Sequence, residues 1–180
     1  KVLTSDAAGL ASWQTLSAPA GTGLVKLADV TLGAAASSIS SGTIPARAYL
    51  KVIIFTATGV EPQGGVRLRF NSDAGANYDY REKINDSPET SVADTTGLAV
   101  IRGDGGAGFI ELEIRNPAAQ NKQIIHHATN QPPGDAAPTM RRMAGSWANT
   151  SDQITSITLL DTGGANILGA GSRMIVYAQE

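Results

Sequence analysis

The chain has 180 residues, with 14 Lys and Arg against 16 Asp and Glu, a formal net charge of -2 and no cysteine. That length fits one domain with a short appendage and a core that needs no staples; the absent cysteine removes disulfides and thiolate metal sites. No basic block runs along the chain, which argues against nucleic-acid binding driven by counterion release, and no apolar run approaches the roughly 18 residues of a membrane span.

A soluble domain without membrane insertion is therefore expected. The start lacks the charged and apolar regions of a signal peptide. The missing initiator Met is read as processing or as excision from something longer.

Residues 1–22 read as an extended N-terminal arm or linker in which Ser5-Asp6 and Gly9 punctuate two short extended pieces. The main domain, 23–180, follows. Runs of apolar and β-branched residues recur at 24–32, 48–58, 66–70, 98–101, 109–114, 123–129, 139–147, 154–160 and 173–178, separated by turn clusters rich in Gly, Pro, Asn and Ser. This is the pattern of an all-β antiparallel sandwich or barrel. No segment sustains a 3.6-residue period, and 34–36 is a short Ala stretch leading into a Ser-rich loop.

In Val66-Arg67-Leu68-Arg69-Phe70, and again from Phe109 to Arg115, apolar and charged residues alternate, one row for a core and one for solvent. Pairing of these two strands would set Arg67 and Arg69 opposite Glu111 and Glu113, worth about 0.2 to 1 kcal/mol per pair. Residues 50–57 are apolar on both faces, which predicts a central strand covered on both sides. A sandwich covers one side, so a subunit contact is expected on the other.

Chemistry is sparse. Gly103-Asp104-Gly105-Gly106-Ala107-Gly108 matches G-x-G-x-x-G, but strand-like sequence on both sides points to a hairpin loop that uses Gly for positive φ. Residues 71–79 place oxygen ligands at alternate positions with Glu82 twelfth, an echo of a calcium loop. Ala76 stands where that loop needs Gly, so an Asx-rich structural turn is expected and no metal. His126 and His127 point to opposite faces of a strand and cannot share one metal within a chain. Trp13, Trp147, Tyr78 and Tyr80 make a sugar platform only if they gather at the surface; packing is their commoner fate. Sequons begin at Asn85 and Asn149, and no nucleophile elbow such as G-x-S-x-G is present. A non-enzymatic protein without cofactor is expected.

The opening phrase, Lys1-Val2-Leu3-Thr4-Ser5-Asp6-Ala7-Ala8-Gly9-Leu10-Ala11-Ser12-Trp13-Gln14, is similar to the junction between shaft and distal domain in tail-fibre-like proteins of bacteriophages. Beyond it, Arg69-Phe70-Asn71-Ser72-Asp73-Ala74-Gly75-Ala76-Asn77-Tyr78, then Ser146-Trp147-Ala148-Asn149-Thr150 leading into Ile154-Thr155-Ser156-Ile157, and finally Gly171-Ser172-Arg173-Met174-Ile175-Val176-Tyr177 resemble a family of phage virion proteins. The resemblance implies a jelly-roll-like sandwich of about eight strands, displayed as a homotrimer on the exposed surface of the virion. Its partners would be other virion proteins and a host cell-surface glycan or protein. The match is weakest at 83–106 and 116–138, which are read as variable loops, and loops on a rigid sandwich carry binding specificity.

The expected function is thus the distal domain of a tail fibre or receptor-binding protein. Its receptor-contact loops span 83–96 and 130–138, with Lys83, Asn85, Asp86, Glu89, Asn130, Gln131 and Asp135 as candidate contacts. The alternative is a capsid decoration protein or head fibre of the same fold. A glycan depolymerase or esterase, the third reading, needs paired carboxylates or a nucleophile with its base, which no motif supplies.

Overall fold

Period-two alternation becomes strand throughout. The structure, a computed structural model, describes residues 2–5, 9–14, 23–57, 65–102, 106–132, 134, 137–161 and 168–179, and among these there is no helix. The strands are β1 Val2–Ser5, β2 Ala11–Gln14, β3 Leu24–Thr31, β4 Ser38–Ser40, β5 Tyr49–Thr56, β6 Gly65–Phe70 and β7 Tyr78–Ile84. They continue with β8 Thr90–Thr95, β9 Leu98–Arg102, β10 Ala107–Arg115, β11 Lys122–Gln131, β12 Thr139–Trp147, β13 Ile157–Asp161 and β14 Arg173–Gln179.

Two antiparallel sheets pack face to face. The large one has the order β3-β14-β5-β10-β11-β12-β7-β8 and the small one β4-β13-β6-β9. The chain alternates between them, so that β3-β14-β5-β10 over β4-β13-β6-β9 is the eight-strand order of a jelly roll. Two insertions, the β7-β8 pair and the β11-β12 hairpin, widen the large sheet from four strands to eight, so the sandwich has more than the eight strands expected. In the N-terminal segment β1 pairs with β2 in a sheet of its own, two extended pieces as its sequence suggests.

Inward rows from both sheets make the core. Leu50, Val52 and Ile54 lie beside Ile110, Leu112 and Ile114, opposite Leu68, Phe70, Val100 and Leu159, all without solvent exposure. Each side chain so buried is worth roughly 1.5 to 3 kcal/mol. At one end Phe70, Tyr78 and Trp147 cluster, ring centroids 5.7 to 6.3 Å apart. Asp73 ties that cluster to the 71–77 turn, its carboxylate accepting from Trp147 Nε1 at 2.7 Å, Asn77 Nδ2 at 2.9 Å and the Gly75 amide at 2.8 Å. Asn116 stitches the strandless crossover before β13. Its amide donates to Arg47 O and Ile154 O and accepts from the Ile154 N–H, all buried or half-buried.

Several expectations need correction. Arg67 and Arg69 do not face Glu111 and Glu113, because β6 pairs with β13 and β9 in the small sheet while β10 pairs with β5 and β11 in the large one. The two arginines instead bond Thr96, and Glu111 binds Lys51 at 2.6 Å. Strand β5 is central, but only its inner row is fully covered; on its outer row Phe55 is 43% exposed. Residues 83–96 hold a second strand, β8, and 116–138 hold the ten-residue β11, so neither is a single loop.

The glycine run at 103–108 is not a hairpin, since β9 and β10 belong to different sheets. Residues 103–105 lie outside the described ones. Gly106 and Gly108 serve close approach instead of positive φ: a Cβ on Gly106 would sit 1.7 Å from Gln131 O, and one on Gly108 2.3 Å from Ile101 Cδ1.

Candidate binding surface

The registers define two ends of the large sheet. Leu24, where the domain follows the arm, pairs with Gln179 at the same end as Arg115, Gln123 and Trp147. The β7-β8 turn and the β11-β12 turn lie at the other end. There Asn85 and Met140 are clamped: the Asn85 N–H donates to Met140 O at 2.9 Å, and Asn85 Oδ1 accepts from the Met140 N–H at 2.8 Å. The 85–88 turn and the facing ends of β11 and β12 are thus neighbours opposite the arm's attachment point, whereas β8 carries the rest of the predicted 83–96 segment back toward the attachment end, where Thr95 pairs with Tyr78.

Not every candidate is available for contact. Lys83 is exposed on the outer face of β7, and Asp86 is exposed in the turn. Glu89 is exposed and binds Arg81 at 3.1 Å. Gln131 is exposed at the end of β11, and Asp135 lies outside the described residues. Asn85 is occupied by its clamp, in which a positive φ of 50 or so is tolerated by Asn (φ 48). Asn130 is corrected: at 2% exposure it points into the sandwich, because alternation along β11 turns even-numbered residues inward.

Alternation and register build the outer face in rows across the strands. Nearest the turns run Phe55, Phe109, Thr129 and Met140; the next row is Ile53, Glu111, His127, Arg142 and Lys83; the third continues through Ile125, Ala144 and Arg81. Phe55 and Phe109 touch with ring centroids 5.4 Å apart. One depression of about 390 Å³ is lined by Phe109, His127, Ala128, Thr129, Met140 and Arg142. A second, also about 390 Å³, shares His127 and Arg142 with it and reaches Lys83, Arg81 and Ile125. A third, of about 640 Å³, continues from Arg81, Ile125 and Ala144 toward Asp79 and Ser91. The three shallow depressions adjoin through shared lining residues across β10, β11, β12, β7 and β8, and are together called the groove.

The acids near this groove are largely engaged. Glu111 holds Lys51 above its ordinary range, and Glu89 takes Arg81. Glu82 turns inward to Arg141, both nearly buried, so it is not poised as the twelfth ligand of a calcium loop. Behind that pair the ring of His126 is wholly buried, while His127 is exposed, on opposite faces as expected. Neither His126 nitrogen makes a hydrogen bond of normal geometry, and burial first, then the Arg141 charge, pushes its pKa down to about 3. Trp147 and Tyr78 are core residues and Tyr80 is half-buried, so these three form no surface sugar platform; the Trp13 side chain lies outside the described residues.

Arg142, His127, Phe109 and Met140 were not among the sequence candidates. The alternation of β10, β11 and β12 assigns them an outward face, but only the register sets them on one surface with Lys83. Fold and surface together define a jelly-roll β-sandwich with a grooved outer sheet and its turns gathered opposite the N-terminal attachment. Compared with protein-family models, with curated proteins and with solved structures, the chain finds no match.

Proposed function

We propose that this chain is a non-enzymatic virion structural protein of a bacteriophage, the distal domain of a tail fibre or receptor-binding protein, assembled as a homotrimer. The observation that carries the reading is polarity. The arm, whose sequence resembles a shaft junction, leads into Leu24 at one end of the large sheet, and the turn at 85–88 lies at the other with the end of β11 at Gln131 and the start of β12 at Thr139. A domain held by its arm therefore presents that turn and those strand ends away from its attachment. No catalytic step is assigned to it.

Combined substitutions at Asp86, Ser87 and Gln131 test this. All three are exposed, so stability should stay within about 1 kcal/mol, while adsorption of particles to host cells is expected to fall by an order of magnitude or more. Unchanged adsorption together with lost capsid binding would favour the second reading, a capsid decoration protein or head fibre. The same arm supports that reading, because it would equally suit a segment lent to a neighbouring copy.

A further inference from the structure

The outer groove has a charge its surroundings do not explain. His127, Arg142 and Lys83 stand directly opposite one another on adjacent strands β11, β12 and β7. Of these, Arg142 and Lys83 are like charges directly opposite each other, a position that weakens strand pairing. None of the three has an ion pair among the described residues: Glu111, Glu89 and Glu82 bind Lys51, Arg81 and Arg141, and Glu113, opposite Ile125 on the same face, is bonded to Tyr49. Nor does net charge account for the cluster, because the chain as a whole is negative.

Beside these cations lie apolar groups open to solvent: Phe109 is 37% exposed, Met140 42% and Ile125 56%. Cations next to exposed apolar surface fit a ligand that combines an anionic group with an apolar face. A pyranose ring carrying a carboxylate or phosphate has both, with its C–H face for Met140 and Phe109 and its anion for Arg142 and Lys83. A nucleic-acid strand fits less well. Its evenly spaced phosphates call for a track of cations with several stacking aromatics, whereas here Arg81 is taken by Glu89, the remaining cations Lys83 and Arg142 share one row, and Phe109 is the one ring lining the two depressions around them.

We infer that the groove across β10, β11, β12 and β7 binds an acidic polysaccharide, its anionic group held by Arg142 and Lys83 with His127 as a further donor. The three adjoining depressions, of about 390, 390 and 640 Å³, give room for several sugar units of a chain. The inference rests on the host-surface reading and gives it a receptor chemistry: a uronate-bearing or phosphate-bearing glycan.

Calorimetric titration of the full chain tests it with hexagalacturonate for carboxylate, a mannose-6-phosphate oligosaccharide for phosphate, maltohexaose as a neutral sugar and a short oligothymidylate. At least one anionic glycan probe is expected to bind, and which one identifies the source of the charge. Binding should weaken as salt rises from about 50 to about 500 mM. It should fall at least about tenfold in Lys83→Gln/Arg142→Gln, fall further in Lys83→Glu/Arg142→Glu, and persist in Lys26→Gln on distant β3. Both replaced side chains are exposed, so thermal melting of the variants should match that of the parent. No binding of either anionic glycan at about 1 mM, equal binding by the double variants, or equal binding of maltohexaose or oligothymidylate would overturn the inference. Each of those results leaves the host-surface reading intact if the domain is found at the tip of a tail fibre. A domain found on the capsid overturns that reading whatever the titration gives.

Discussion

His126 is a residue whose chemistry its surroundings suppress. It is wholly buried on the inner face of β11, with Arg141, itself paired to Glu82, as the charged neighbour. Its pKa of about 3 in the fold lies below the ordinary 6.5 of an exposed or unfolded His. The unfolded chain therefore binds the proton first. The contribution of neutral His126 is complete above pH 6.5 and is lost as pH falls from there toward 3. By linkage, that loss reaches roughly 3 kcal/mol near pH 4. Urea titrations should show stability falling between pH 6.5 and 4 in the parent, and a flatter profile in His126→Met, which fills the site without a titrating group. A variant as pH-sensitive as the parent in that window would show that other groups control acid unfolding. Asp29 and Asp73, held low by Arg173 and by the Trp147 and Asn77 hydrogen bonds, lose their contributions at lower pH.

At the scale of elements, strand β5 carries the clearest expectation about assembly. Its inner residues are buried, whereas Ile53 and Phe55 look outward beside Ile175 and Phe109. Phe55 loses more water if a second copy covers the β5–β14 side of the sheet, which leaves Phe109 open toward the groove. Light scattering is expected to give a trimer, and Phe55→Glu to give a folded monomer; a parent chain that stays monomeric at micromolar concentration would contradict this. Which elements were legible in the sequence follows from how each is stabilised. Strands β10 and β12 show in their alternation or apolar content because one row meets the core. Strand β7 does not, because its inward row, Tyr78, Tyr80, Glu82 and Ile84, includes a charge that only Arg141 on a distant strand makes tolerable. Strand β8 is exposed or half-buried along its length, and β4 has three residues, too few for a period to register. The groove was least legible of all. Lys83 was expected to contact ligand as a loop residue, but it stands on a strand, and its neighbours His127 and Arg142 are set by register between segments far apart in sequence.

For the whole molecule, the jelly-roll order supplies a rigid frame, and two insertions into it supply the grooved half of the large sheet. Without β7, β8, β11 and β12 the large sheet would end at β10, and the row of cations would not exist. Both inserted turns gather at the end away from Leu24, so the same insertions that widen the sheet also give the domain a far end. On the proposed function, this far end meets the host. Electron microscopy of phage particles labelled with an antibody fragment against the domain tests it most directly. The account predicts label at the distal tips of tail fibres; label spread over the capsid, or none on the particle, would contradict it.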